Sequence, residues 1–127
     1  QRELFVVGAE LATEPEHRDR LTDGVTRVTE AMVADLEPVI DDITARYDPP
    51  QEFVLPGETR VAAALDVART VVRRAERRIS ALGAEGELAS ETVIHFVNRA
   101  SDLVYAMARW ADVDDPALFA GRGRASA

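Results

Sequence analysis

The stretch Thr59-Arg60-Val61-Ala62-Ala63-Ala64-Leu65-Asp66-Val67-Ala68-Arg69-Thr70-Val71-Val72-Arg73-Arg74-Ala75-Glu76-Arg77-Arg78-Ile79-Ser80-Ala81-Leu82 decides the fold. Val61, Ala64, Leu65, Ala68, Val72, Ala75, Ile79 and Leu82 recur at spacings that put them on one side of a helix. Thr59 stands where an N-cap belongs, and Gly83, with Gly86 nearby, where the helix should end. Small residues dominate the stripe, so a neighbouring helix can approach closely. Arg69, Arg73 and Arg77 fall four residues apart and stack into one cationic column about three turns long.

Working outward, Phe53-Val54-Leu55-Pro56-Gly57 precedes this helix as a short extended crossing, because Pro56 forces Leu55 out of helical geometry. Further upstream, Val25, Val28, Met32, Leu36, Val39, Ile43 and Tyr47 repeat like a bundle seam, predicting a helix from Thr22 or Asp23, kinked by Pro38 and ended by Asp48-Pro49-Pro50. Leu4, Phe5, Val7, Gly8 and Leu11 make residues 1–13 the tail of another helix, closed by Glu14-Pro15. Glu16–Arg20 reads as a charged loop. Downstream, Ser90 is the expected N-cap of a helix to about Asp112, with Val93, Phe96, Val97, Ala100, Val104, Met107 and Ala108 as its core side. The run Asp112-Val113-Asp114-Asp115-Pro116 should stop it, and residues 121–127 should form a flexible tail. No strand alternation persists. The expectation is one all-α domain over residues 1–127, an antiparallel helix bundle with short connections.

Composition narrows the function. The chain has 127 residues, 46% of them apolar, and no cysteine, which excludes disulfides and thiolate metal sites and suits a cytoplasmic protein. No apolar run reaches the ~18 residues of a membrane span, so no membrane partner is expected. Net charge is −8, yet residues 59–83 hold six arginines against Asp66 and Glu76, a local +4. An acidic body with one basic helix argues against long nucleic acid and for a small anionic ligand or an internal salt-bridge network. All fifteen basic residues are arginine, as a GC-rich genome or bidentate phosphate recognition would each produce.

His17 and His95 lack companions at metal spacing, so no metal site is expected, and no nucleophile motif or glycine-rich phosphate loop occurs. The arginine column remains. Charge alone allows a solvated face paired with Glu76 and other acids, or a clamp whose guanidinium forks hold a polyphosphate. On the next helix Asn98, Asp102, Tyr105 and Arg109 form a second polar stripe, which a ligand, a helix or another subunit should satisfy.

At these residues the chain resembles the PduO-type ATP:cob(I)alamin adenosyltransferases. The resemblance runs through Phe53-Val54-Leu55-Pro56-Gly57, Ala64-Leu65, the run Val67 to Arg77, Val97-Asn98-Arg99 and Ser101-Asp102, with Gly8-Ala9-Glu10-Leu11-Ala12-Thr13 fitting an earlier helix. It implies a ferritin-like five-helix bundle, a homotrimer with sites between subunits, and transfer of the 5′-deoxyadenosyl group of ATP, taken with magnesium, to cobalamin. It also implies roles. Arg73, Arg74, Glu76, Arg77 and Asn98 would bind ATP, and Arg69 and Arg73 would serve catalysis, Arg69 through an ion pair with an N-terminal aspartate. Phe53 would lie under the corrin and displace its lower ligand, with Asp102 and Tyr105 also on the corrinoid. A reductase and a B12-dependent mutase would be its functional partners.

The chain departs from that pattern. The Thr-Gly-Asp-Gly-type loop that wraps ATP phosphates is not among these residues, nor is the aspartate for Arg69, and the chain enters at Gln1 directly into a patterned helix. A preceding segment is therefore expected, and without its loop ATP binding is not. Glu58 stands where a second glycine usually follows Pro-Gly, and Tyr105 where phenylalanine is frequent. Two other readings stay open: a relative that binds or delivers corrinoid without transfer, and arginines serving only as interface salt bridges.

Overall fold

The computed structural model describes residues 1–112 together with 118 and 119. Arg2–Ala12 (α1) leads through a 3₁₀ helix, Pro15–Arg20, to Glu30–Ala34 (α2), Leu36–Thr44 (α3), Arg60–Ala84 (α4) and Thr92–Ala111 (α5). Among the described residues there is no strand, only isolated bridges between Asp23 and Arg27 and between Val54 and Leu118. The protein is an all-α bundle in which α4 packs chiefly on α5, and α3 on the other side of α5. No helix among these residues is long and apolar enough to cross a membrane.

The core joins Val6 and Val7 of α1, Val28, Met32 and Leu36, Ile79 of α4, and Val93, Phe96 and Val97 of α5. Val28, Met32 and Leu36 of the predicted seam are in it, but Val39 is exposed while Ile40 packs against the core, and the helix ends at Thr44, short of Tyr47. Val25 is 64% exposed, and the expected start at Thr22 or Asp23 is corrected to Glu30. Residues 22–27 instead close a turn: the Thr22 carbonyl accepts from the Thr26 and Arg27 amides, the Thr26 hydroxyl accepts from the Thr22 amide, and Gly24 takes φ +71°. Thr29 is the true cap, its hydroxyl accepting from the Met32 amide. Glu10, buried on α1, reaches over and accepts from the Val28 amide at 2.5 Å, pinning this entry to the core.

Pro38 acts earlier than a kink at its own position would suggest. Its ring excludes the carbonyl four residues back, so the helix breaks at Asp35 and restarts with Pro38 in the first turn of α3. Thus α2 and α3 are two halves of one rod. Glu16–Arg20 is 3₁₀ helix rather than loop.

The long helices are bounded by backbone chemistry. Thr59 caps α4, its hydroxyl accepting from the Ala62 amide at 3.1 Å. At the other end the Glu87 amide donates to the Leu82 carbonyl and the Gly86 amide to the Gly83 carbonyl, a Schellman pair that needs Gly86 at φ +74°. Gly86, not Gly83, is the terminator. A Cβ on Gly83 would meet Ile94 and Leu88 at 3.2 Å, so Gly83 serves the contact between α4 and the approach to α5. Glu91, not Ser90, precedes α5 at the cap position, and the Ser90 hydroxyl is buried without a partner among the described residues. Thr92 instead donates to Glu30 at 2.7 Å, tying the start of α5 to the start of α2. Of the apolar stripe predicted for α4, Ile79 is buried, whereas Val61, Ala64, Ala68 and Leu82 are exposed and Ala62 is buried instead. On α5, Met107 faces outward and Ser101, Ala106 and Arg109 are buried in its stead. Residues 113–116 of the expected stop signal and the expected tail 121–127 lie outside the described residues.

Candidate active site

One side of α4 faces a cleft of about 620 Å³ lined by Phe53, Val54 and Pro56 from the crossing segment, Asp66, Arg69, Thr70, Arg73 and Arg77 from α4, and Tyr105 and Arg109 from α5, with Glu52 at its edge. The helical period gives α4 separate sides for separate tasks. Val72 and Ile79 turn to the bundle, whereas Asp66, Arg69, Arg73 and Arg77 turn to the cleft. Val67 and Val71 lie on neither and are exposed.

The crossing segment holds its place without being a regular element. The Val54 bridge to Leu118 and the Phe119 amide donating to the Phe53 carbonyl at 2.7 Å fix its backbone. Gly57 turns the chain at φ +95°, a conformation closed to most side chains. Phe53 is left 85% exposed on the cleft. A phenyl ring held outward on an anchored backbone is a surface waiting for a flat apolar partner.

The cationic column is not uniform. Arg69 lays its guanidinium over the Tyr105 ring, 4.7 Å from the centroid, and its Nε is buried without a hydrogen-bond acceptor among the described residues. Arg73 pairs with Glu76 one turn on, and Glu76 in turn accepts from the Asn98 amide of α5 at 2.9 Å. Arg77 lines the cleft with no ion pair among the described residues. Arg109, 5% exposed, sends one nitrogen to both carboxylate oxygens of Asp66 at 2.9 Å and also stands 5.6 Å from the Tyr105 centroid. Tyr105 thus lies between two guanidinium groups.

Phe53, Arg69, Arg73, Arg77 and Tyr105 therefore come together. Glu76 and Asn98 stand behind them as supports, outside the cleft lining. Arg74 is exposed outside it, and Asp102 pairs with Arg99 at 3.1 Å, which also reaches Glu37 at 2.9 Å. Asp66, Thr70 and the pairing of Arg109 were missed. The spacing Asp66, Thr70, Arg73, Arg77 carried the signal for the first two, but nothing along the chain says that Asp66 meets Arg109 forty-three positions later. His17 also has neighbours the sequence reading denied it: Glu14, Glu16 and His17 bring ligand atoms within 4.8 Å of one another on the exposed 3₁₀ turn, away from the cleft.

Chemically the lining is suited to binding an anion beside an aromatic surface. Eight residues of helix separate Arg69 from Arg77, about 12 Å, enough to span several linked phosphates. Asp66 is committed to Arg109, which leaves no free acid–base pair among the residues that line the cleft. Behind Val54, burial raises the Tyr47 hydroxyl above its ordinary value, with Tyr105 adding to the rise and Thr44 and Arg109 opposing it.

Comparison with known proteins gives a consistent set. The family model for cobalamin adenosyltransferase matches residues 1–111. A corrinoid adenosyltransferase of Bacillus subtilis is 42% identical over 109 residues, 86% of this chain and 53% of its own length. The corrinoid adenosyltransferase PduO of Salmonella typhimurium is 37% identical over 114 residues, 90% of this chain and 33% of its own. The chain thus spans between a third and about half of these relatives. A phenylalanine-to-alanine variant of a PduO-type ATP:corrinoid adenosyltransferase from Lactobacillus reuteri, complexed with cobalamin and ATP, superposes with a TM-score of 0.79 at 35% identity, covering 93% of this chain and 65% of that one. An arginine-to-lysine variant from the same organism, complexed with ATP, gives 0.76 at 36% identity, covering 91% and 64%.

Proposed function

The chain belongs to the cobalamin adenosyltransferase family, and from that premise we propose that it transfers the 5′-deoxyadenosyl group of ATP to cob(I)alamin. The cobalt(I) electron pair attacks the 5′ carbon, the bond from that carbon to oxygen breaks, and its pair leaves on triphosphate. The products are adenosylcobalamin and triphosphate. One observation carries this reading: the column of Arg69, Arg73 and Arg77 faces Phe53 and Tyr105 across a single cleft.

The residues take their parts from chemistry. Arg73 and Arg77 offer forks to the triphosphate, where charge grows as the bond breaks, and so stabilise the transition state more than the ground state. Glu76 and Asn98 hold Arg73 in register. Phe53 gives the corrin an apolar surface and denies cobalt a lower ligand, while Tyr105 meets the macrocycle from the α5 side. Asp102 contributes from the next turn of α5, and Arg74 from the nucleotide run of α4. Arg69 keeps its buried Nε for a carboxylate supplied by another segment or subunit. The carboxylates on the cleft do not make a magnesium site of their own, since Arg109 holds Asp66. Magnesium in this reading arrives on the nucleotide phosphates.

The wider reading is a cytoplasmic homotrimer with sites between subunits, fed by a reductase that supplies cobalt(I) and drained by a B12-dependent mutase. The test is direct. The protein at full natural length, mixed with reduced cobalamin and ATP, is expected to produce the adenosylcobalamin spectrum, with Arg73→Ala and Asn98→Ala strongly impaired. A spectral change on adding corrinoid without turnover would replace this reading with corrinoid delivery. No interaction with either ligand would overturn both.

A further inference from the structure

The buried partner of the cleft is the cluster beneath Tyr105. Asp66 and Arg109 come from neighbouring helices and meet through one guanidinium nitrogen, which donates to both carboxylate oxygens. Asp112, almost wholly buried, lies 3.7 Å from the same Arg109 nitrogen and accepts from the Thr59 amide at 3.1 Å, while the Thr59 hydroxyl donates to the Ala111 carbonyl. The cluster therefore locks the first turn of α4 to the last turn of α5 directly after the segment that carries Phe53. It also bears on the ring shared by two cations: the Arg109 guanidinium stands 5.6 Å from the Tyr105 centroid, and that of Arg69 4.7 Å from it.

Two guanidinium groups on one ring repel each other unless one is neutralised nearby. Asp66 and Asp112 together outweigh the charge of Arg109, and so offset its repulsion with Arg69 across the ring. Truncating one member of such a buried pair strands the other, so its geometry is strongly constrained.

Resting on the adenosyltransferase reading, we propose that Asp66 and Arg109 are positioning residues for the transfer: their pair sets Tyr105, and through it Arg69, at the corrinoid end of the cleft. Neither touches a reacting atom. Their influence should appear on the corrin and on kcat, not on nucleotide affinity.

The test compares Asp66→Asn, which keeps shape and removes charge, and Arg109→Lys, which keeps charge and loses the planar guanidinium, with the wild type at full natural length. With melting temperature and circular dichroism recorded for each, kcat is expected to fall about tenfold or more while KM for ATP stays within about twofold. The spectrum of bound cob(II)alamin should move toward that of the free corrinoid. In a Tyr105→Ala background Asp66→Asn should cost little more, since residues acting as one unit are not additive. If Asp66→Asn does not fold, Asp66→Glu and Arg109→Lys carry the same comparison. Wild-type kcat in the folded variants, an equal loss of ATP affinity, or full additivity with Tyr105→Ala would overturn the proposal. A wild type that neither turns over nor changes the corrinoid spectrum would instead strike the adenosyltransferase reading itself.

Discussion

Glu76 shows how much one half-buried acid can organise. Its two oxygens are divided between Arg73, which faces the cleft, and Asn98, which reaches across from α5. The Arg73 side of this pair is half exposed, so it adds little to stability and acts mainly by aiming the guanidinium. In the adenosyltransferase reading Asn98 would serve ATP through Glu76. Asn98→Ala is expected to weaken ATP binding about tenfold, and Asn98→Asp more, because two carboxylates would meet where an amide and a carboxylate meet now. Combining Asn98→Asp with Glu76→Gln restores a donor and acceptor across the helices, and calorimetric titration with ATP should show recovery. Absence of rescue would place the importance of Asn98 elsewhere. Tyr47 gives a second, independent check. Its hydroxyl is raised by burial, so folding favours the neutral phenol: the stabilisation is present below the unfolded value of 10.0 and lost as pH climbs through the folded one. Denaturant melts of Tyr47→Phe should therefore lose part of the alkaline decline in stability that the wild type shows.

At the scale of elements, the ends of α4 repay substitution. Gly86→Ala forces a side chain into the left-handed region and should cost about 1 kcal/mol, a fall of about 4 °C in melting temperature, with turnover per folded molecule unchanged. Thr59→Ala removes the cap hydroxyl and should cost about 1 kcal/mol as well. These same ends explain what could be read from the chain and what could not. Helices α1, α4 and α5 were legible because apolar residues repeat at helical spacing and Thr59 marks the start of α4, whereas its end reads one turn early, at Gly83 in place of Gly86. The start of α2 was not, because Val25 extends the repeat upstream while local bonds to the Thr22 carbonyl and the Gly24 turn win the backbone. The arginine column was legible because its spacing lies within one helix. The Asp66–Arg109 and Glu76–Asn98 pairs were not, since they depend on the register of α4 against α5, which no single helix encodes.

For the whole molecule, the unpartnered apolar side chains have a pattern. Phe5 is 82% exposed on α1, and on α4 Val67 and Val71 stand clear of both core and cleft, flanked by Arg74 and Arg78. Such a strip of valines beside cations is poorly suited to water and well suited to another protein surface with acidic groups around an apolar centre, and the rest of this acidic chain offers that chemistry. In the homotrimeric reading the strip lies between subunits, next to the very helix side that holds the nucleotide. Assembly and catalysis then share one helix. Val71→Asp would set a carboxylate in the apolar centre of the seam, against the acidic groups of the facing surface, and is expected to dissociate the assembly while each bundle remains folded. Light scattering should fall from three chains to one, circular dichroism should keep its helical signal, and turnover should fall together with the assembled fraction as concentration is lowered. A variant that stays assembled, or a dissociated one that turns over at the wild-type rate, would separate the arginine column from any subunit boundary and return the whole site to a single chain.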